Sequence, residues 1–141
     1  MKRHAQVLFP TLVALVAVAA TLLAHAQDTA APHRLRLLYK VATADSIAER
    51  LSSLTEDKKN SVTDEDTEIR IDAPGENAIY AFTKPGHTAH PSVVRRGVGQ
   101  RDRKVYIETT GVTAADRSTF ENWFAVFLRQ DDEIRARLQS K

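Results

Sequence analysis

The stretch that decides the fold runs from residue 68 to residue 83: Glu68-Ile69-Arg70-Ile71-Asp72, the turn Pro74-Gly75-Glu76-Asn77, and Ala78-Ile79-Tyr80-Ala81-Phe82-Thr83. Isoleucine alternates with charged residues before the turn, which is typical of a strand with one buried face. Proline, glycine and asparagine are turn formers. The stretch therefore predicts two antiparallel strands joined by a short turn.

Further strands are predicted on both sides of this pair. Ser92–Val98 and Lys104–Thr110 read as two strands joined by the hydrophilic tip Gly99–Arg103, with Gly111 ending the sheet. Arg34–Val41 also alternates, although Leu38 breaks the pattern and leaves a helix open. The nearly all-polar segment Thr55–Asp66 is predicted to be a loop.

Two helices are predicted from apolar spacing. Thr43 or Asp45 caps a short helix, whose apolar side consists of Ile47, Leu51 and Leu54. Thr113, with Asp116 three residues later, is predicted to cap a long C-terminal helix. Its apolar stripe is predicted to pack on the sheet and consists of Phe120, Trp123, Phe124, Phe127, Ile134 and Leu138, with Leu128 at its border. The four aromatic residues of the stripe are predicted to be core rather than a ligand groove.

Asp131 falls inside that apolar stripe. We expect the helix to break or to overhang the core near residues 130–132, with Arg135 pairing with Asp131. The alternative is a buried functional acid, which is disfavoured because an unpaired buried carboxylate is costly. The predicted fold class is α+β, with a three- to four-stranded antiparallel β-meander packed against a long C-terminal amphipathic helix and a short helix before the sheet.

The first 26 residues have the pattern of a cleavable signal peptide. Basic residues 2–4 precede the apolar run Val7–Leu23, and Ala24-His25-Ala26 provides small side chains at the cleavage site. We expect the mature chain to begin at Gln27, with a flexible stretch over 27–33 and a single domain over 34–141, in the periplasm or secreted. The alternative is an uncleaved N-terminal helix that tethers an accessory protein to the membrane.

Cysteine content and charge limit how this protein can be stabilised, anchored and bound. The chain has no cysteine, which excludes disulfides and a lipid-bearing cysteine. The formal net charge of +2 comes from Lys2 and Arg3, so the predicted mature part has equal numbers of basic and acidic residues. Acidic residues dominate Asp45–Glu76 and basic ones dominate Lys84–Lys104.

The basic residues of the second region are a candidate interaction surface for an envelope protein or an anionic envelope component. They are Arg95, Arg96, Arg101, Arg103 and Lys104. Charged side chains on exposed strands also serve only to keep an edge soluble. The acidic Asp57–Glu68 segment is a candidate complement, in the same molecule or in a neighbour. We expect no nucleic-acid partner, and membrane contact only through the signal segment before cleavage.

Two histidines lie three residues apart in a loop with two prolines. His87 and His90 are candidate metal ligands for zinc or copper, because imidazole binds both metals. A site needs a third ligand, such as His33, Asp102 or an acid from Thr55–Asp66. The other interpretation is an ordered turn in which the imidazoles bond backbone carbonyl groups or cap strand ends.

The same loop has a family resemblance. Phe82-Thr83-Lys84-Pro85 with His87, Ala89, His90 and Pro91, preceded by residues 71–75, resembles small secreted proteobacterial proteins of uncharacterised function. The resemblance covers Glu68–Arg96 and implies export from a Gram-negative cell, with no particular activity.

Motifs of common catalytic sites are missing from the sequence. It has no cysteine nucleophile, no Gly-x-Ser-x-Gly and no His-Glu-x-x-His. We therefore expect a non-enzymatic binding protein of the cell envelope, with metal binding through His87 and His90 as the alternative.

Overall fold

The computed structural model describes residues 37–140. The predicted signal peptide, the stretch 27–33 and the first residues of the Arg34–Val41 segment lie outside the described residues. The elements are, in order, β1 (Tyr39–Val41), α1 (Ala44–Glu56), β2 (Ser61–Asp64), β3 (Glu68–Ala73), a 3₁₀ turn (Pro74–Glu76), β4 (Ala78–Thr83), β5 (Ser92–Arg101), β6 (Lys104–Thr113) and α2 (Arg117–Gln139).

The described strands form one six-stranded sheet in the order β1-β6-β5-β4-β3-β2. Strands β2 to β6 are antiparallel neighbours, and β1 runs parallel to β6, with Tyr39 opposite Gly111. The α+β class, the C-terminal helix and the short helix are confirmed. The prediction of a purely antiparallel sheet of three to four strands is wrong, because β2 was predicted to be a loop and because β1, a strand as the alternation favoured, joins the sheet parallel to β6.

The segment Thr55–Asp66 is not the loop that its polarity predicts. Helix α1 continues to Glu56, and Ser61–Asp64 forms β2, which pairs with β3. All four residues of β2 are exposed. An edge strand with no buried face has no apolar alternation, so composition alone does not reveal it.

Helix α1 covers one face of the sheet. Thr43 caps it by accepting a hydrogen bond from the Ser46 N–H, as one of the two predicted caps. Ile47 and Leu54 are buried and Leu51 is partly buried, as the spacing predicts. The buried cluster on this face consists of Ile47, Leu54, Ile71, Ala73, Ala78, Tyr80, Phe82 and Val93.

Helix α2 covers the opposite face. Val94 belongs to its cluster whereas Val93 belongs to that of α1, because consecutive strand residues point to opposite faces. Phe120 and Phe124 have no exposed surface, and Trp123, Phe127 and Leu128 pack against them partly buried, which confirms the core assignment of the aromatic residues. The stripe does not stay buried to its end, because Leu138 is 50% exposed. Gly111 lies beneath the helix, where a Cβ atom would come within 2.5 Å of the Phe120 ring.

Two predicted boundaries near α2 are wrong. The sheet continues past Gly111 to Thr113, and the helix is capped by Asp116, whose carboxylate accepts from the Thr119 N–H at 3.1 Å. The Thr113 hydroxyl is instead buried 2.7 Å from the Ser92 hydroxyl. Thr113 therefore contributes to strand pairing, and its side chain is not free to cap a helix.

Candidate interaction surface

Strands β5 and β6 form a hairpin of ten residues each, paired from Ser92 opposite Thr113 to Arg101 opposite Lys104. The strands continue through most of the predicted Gly99–Arg103 tip, so the turn consists only of Asp102 and Arg103. Both turn residues have positive φ angles, 52° and 62°. Two positive φ values are the requirement of a type I′ turn, which usually takes asparagine and glycine.

The end of this hairpin is basic, and we call Arg101, Asp102, Arg103 and Lys104 the hairpin tip. All four residues are exposed. The three basic side chains have no carboxylate within ion-pair distance in the described part of the chain. The Arg101 guanidinium lies 5.8 Å from the centre of the Tyr106 ring. The tip therefore presents positive charge to the surroundings of the protein.

Arg95 does not extend this tip. It lies on the α1 face, beside a surface pocket of about 410 Å³. Its Nη2 atom is 3.5 Å from the Glu76 carbonyl oxygen. The pocket is lined by Arg50, Glu76, Tyr80, Val93, Arg95, Thr110 and Val112.

A hydrogen-bonded triad occupies one wall of this pocket. The Arg50 Nη2 atom is 2.7 Å from Glu76 Oε1 and 2.8 Å from the Tyr80 hydroxyl, which itself donates to Glu76. The hydrogen bond from Tyr80 is the main cause that lowers the pKa of Glu76; burial opposes it, and Arg50 lowers the pKa further. Burial acts to lower the pKa of Arg50, but its bonds to Tyr80 and Glu76 outweigh burial and raise the pKa.

Arg96 lies on the other face, beneath α2. Its Nε atom is 2.7 Å from Asp131 Oδ1, and its Nη2 atom donates to the Phe127 carbonyl oxygen at 3.0 Å. The side chain of Arg96 is only 21% exposed, and that of Asp131 is fully buried. Of the five predicted basic surface residues, the structure therefore brings together Arg101, Arg103 and Lys104, and separates Arg95 and Arg96 from them.

The expected helix break at Asp131 is wrong. Helix α2 is continuous over Arg117–Gln139, and Arg135 pairs with Asp132 at 3.0 Å rather than with Asp131. The hydrogen-bond geometry of the Arg96–Asp131 contact is poor, since neither carboxylate oxygen has a hydrogen-bond partner in the described residues. Charge neutralisation, rather than a directed hydrogen bond, is what makes burial of this carboxylate tolerable.

The acidic segment Asp57–Glu68 does not meet the hairpin tip in the same molecule. It leads into β2 and β3, which lie beyond β4 and β5 from β6. Two of its acidic residues form ion pairs with neighbouring basic residues: Asp64 lies 2.6 Å from Lys84, and Glu65 lies 3.2 Å from Arg70. The tip therefore remains without a counter-charge from this segment.

The two histidines bond to the backbone of their own region. His87 Nδ1 accepts the Ala89 N–H at 3.0 Å, and His90 Nδ1 donates to the Thr83 carbonyl oxygen at 2.9 Å. The His87 ring packs edge-on against Trp123, with centroids 5.2 Å apart. This arrangement matches the ordered-turn interpretation.

Residues 37–140 hold no group of three or more side chains placed to bind a metal ion. His87 Nε2 is 4.0 Å from Glu68 Oε1, but Asp102, a predicted third ligand, lies at the hairpin tip. His33 lies outside the described residues. Metal binding by His87 and His90 stays a prediction.

Sequence reasoning missed Arg50, Glu76 and Tyr80 as a cluster, because they lie on α1, the 3₁₀ turn and β4.

Comparison with protein-family models, with curated proteins and with solved structures found no match to this chain. Neither helix within residues 37–140 is both long and apolar enough to cross a bilayer.

Proposed function

We propose that this protein is an exported, non-enzymatic binding protein of the cell envelope, which holds an anionic partner at the hairpin tip. Export rests on the signal-like pattern of residues 1–26. Binding rests on Arg101, Arg103 and Lys104, which are exposed and have no carboxylate partner in the described residues.

The single observation that carries the proposal is the backbone of Arg103. Its φ angle of 62° lies in the left-handed region, where a residue with a side chain is less stable by about 1–2 kcal/mol. Glycine at this position relieves that strain and removes the charge. A strained arginine at an exposed turn supports a role for its side chain outside the fold.

Exposed apolar side chains accompany the charges. Val98, Val105 and Tyr106 are 52%, 54% and 44% exposed. Basic and apolar groups together suit a partner whose negative groups lie beside an apolar surface. Positive charge speeds the encounter, and the apolar contacts slow dissociation.

The test is affinity capture from envelope extract with the purified protein as bait. The Arg101→Ser/Arg103→Ser variant is expected to lose the captured partner, and raising the salt concentration is expected to weaken capture by the wild type. The matched control is Lys58→Ser/Lys59→Ser, which removes two exposed charges next to β2.

A second arm uses vesicles with and without anionic phospholipid, to separate an acidic protein from a lipid headgroup as the source of negative charge. Equal capture by the tip variant and the wild type, in both arms, contradicts the proposal. An intact mass that begins at Gln27 in the exported protein is expected. An uncleaved chain in the membrane fraction supports the tethered alternative, and an uncleaved chain dissolved in the cytosol contradicts the export part of the proposal.

A further inference from the structure

Within residues 37–140, strand β6 is only partly covered at its outer edge. β1 pairs with Gly111–Thr113, and no other described strand lies along residues 104–110. Gly111 N–H donates outward to the Leu38 carbonyl oxygen, and the Ile107 carbonyl oxygen accepts from Arg135 at 3.2 Å. Because odd-numbered residues point their backbone groups outward, Val105 and Ile107 direct theirs to the open edge.

An open edge of this kind is a template for another strand. Proteins commonly protect edges with charged side chains, proline, a bulge or a covering segment. The charged residues of this edge, Lys104 and Glu108, have opposite signs and therefore do not exclude a second antiparallel copy. The segment Lys104–Thr110 contains no proline, and its pairing with β5 is regular. The Arg135 side chain covers one carbonyl group and is itself 47% exposed, so a paired strand can displace it.

The sequence of this edge is complementary to itself. Lys104-Val105-Tyr106-Ile107-Glu108 begins with a positive residue and ends with a negative one. In an antiparallel pair centred on Tyr106, Lys104 lies opposite Glu108 of a second copy, and Val105 lies opposite its Ile107. Neither Lys104 nor Glu108 has an ion-pair partner among the described residues.

We propose that two copies of this chain associate through the open edge of β6, antiparallel and centred on Tyr106, to form one continuous sheet. The outward backbone groups agree with this register, because Val105 and Ile107 of the two copies then exchange hydrogen bonds. Centring the pair on Val105 or Ile107 instead places Lys104 opposite Tyr106 or Thr110. Only the register centred on Tyr106 pairs the opposite charges.

The side chains leave room for the second copy. The Tyr106 ring leans over Gly99 of β5, where a Cβ atom would lie 2.3 Å from the ring, and so points away from the open edge. Val105 is 54% exposed and gains apolar contact from Ile107 of the other copy. Each dimer contains two Lys104–Glu108 pairs, because the two-fold axis repeats every contact.

The test is sedimentation equilibrium of the exported chain over a wide concentration range. The wild type is expected to be a dimer, and Lys104→Glu or Glu108→Lys alone is expected to weaken association about tenfold or more, since like charges then face each other twice. The double variant Lys104→Glu/Glu108→Lys restores opposite charges and is expected to restore the dimer. Lys58→Glu, at a site remote from β6, is the control.

Hydrogen exchange of the Val105 and Ile107 amides provides a second readout. Both amides are expected to be protected at concentrations where the dimer forms and to exchange faster on dilution. A monomer at every concentration overturns the inference, as does a double variant that stays monomeric. Protection that is equal at all dilutions shows that the same chain covers the edge, and also overturns it.

This inference does not rest on the proposed function. The capture variants change Arg101 and Arg103 and leave Lys104 and Glu108 intact, and Glu108→Lys changes the dimer contact without changing the hairpin tip. Capture that is unchanged in the Arg101→Ser/Arg103→Ser variant contradicts only the proposed function, whereas a dimer that is unchanged in Glu108→Lys contradicts only this inference.

Discussion

The Arg96 guanidinium lies 2.7 Å from the Asp131 carboxylate, and this ion pair connects the middle of the sheet to the second half of α2. Arg96 also donates to the Phe127 carbonyl oxygen and lies 5.7 Å from the centre of the Phe127 ring. A single strand residue therefore contacts the helix backbone, an aromatic ring and a buried acid. The packing of α2 on the sheet therefore requires that neither charge of this pair is left without the other.

Removing the acid of this pair is expected to destabilise the fold strongly. Asp131→Ala leaves Arg96 without its counter-charge in a mostly buried position, which lowers the free energy of unfolding by about 3–5 kcal/mol. Urea denaturation measures the free energy of unfolding of each variant. The control Asp132→Ala removes a carboxylate that is 77% exposed, and its expected loss is below about 1 kcal/mol. Replacing both partners, as Arg96→Met/Asp131→Leu, is expected to recover most of the stability; equal losses in the two alanine variants contradict this account.

Glycine at the hairpin turn is expected to stabilise the protein while weakening capture of its partner. Arg103→Gly relieves about 1–2 kcal/mol of left-handed strain, and the greater freedom of glycine in the unfolded chain offsets part of it. The expected net gain is about 0.5–1 kcal/mol in thermal or urea unfolding. Arg101→Ser, at a strand position, is expected to weaken capture without this gain. An Arg103→Gly variant that is less stable than the wild type contradicts this prediction.

Acid is expected to remove the contribution of Glu76. Tyr80 and Arg50 lower the pKa of Glu76 in the folded state, so its stabilisation is complete above the unfolded value of about 4.3 and is lost as the pH falls through the folded pKa. The stability difference between wild type and Glu76→Gln should therefore shrink below about pH 4.3. The effect is small because the Glu76 side chain is 39% exposed and solvent screens it.

The control for this measurement is Glu49→Gln, which removes a carboxylate from the exposed side of α1 and corrects for the change in net charge. Stability curves measured by urea unfolding at several pH values give the comparison. A wild-type advantage over Glu76→Gln that stays constant as the pH falls contradicts the assignment.

Zinc or copper is expected to leave the fluorescence of Trp123 unchanged. Trp123 is the only tryptophan of the chain and contacts His87, so it reports directly on this imidazole. The Nδ1 atoms of His87 and His90 are already bonded to backbone groups. A saturable change in fluorescence that disappears in His87→Ala/His90→Ala supports the metal-binding alternative instead.

The elements with a buried face were the ones that the sequence predicted. β3 alternates because one side of it packs against α1, β4 is an almost continuous apolar run with five of its six residues buried, and Ile47, Leu51 and Leu54 repeat because one side of that helix faces the sheet. β2 escaped prediction because all of its residues are exposed. Hydrophobic periodicity indicates which side of an element is buried, so it cannot predict an element that has no buried side.

The candidate surface was predicted only in part, for a related reason. Arg95 and Arg96 are neighbours in sequence, and strand geometry therefore points them to opposite faces, one towards Glu76 and the other towards Asp131. Arg101, Arg103 and Lys104 stay together because they surround a two-residue turn. The sequence shows directly that the segment is basic. Which face of the sheet each basic side chain occupies could be determined only from the register of the strands.

By itself, the sequence determined the α+β class, the central antiparallel strands, the two helices and the basic character of the hairpin. These follow from local spacing of apolar and charged residues, which a chain carries before it folds. Tertiary structure alone decided that Asp131 is buried against Arg96, that Glu76 meets Arg50 and Tyr80, and that within residues 37–140 no strand pairs with most of the outer edge of β6. Each of these depends on strand order and on which elements pack together, because partners far apart in sequence come into contact only when the whole sheet forms.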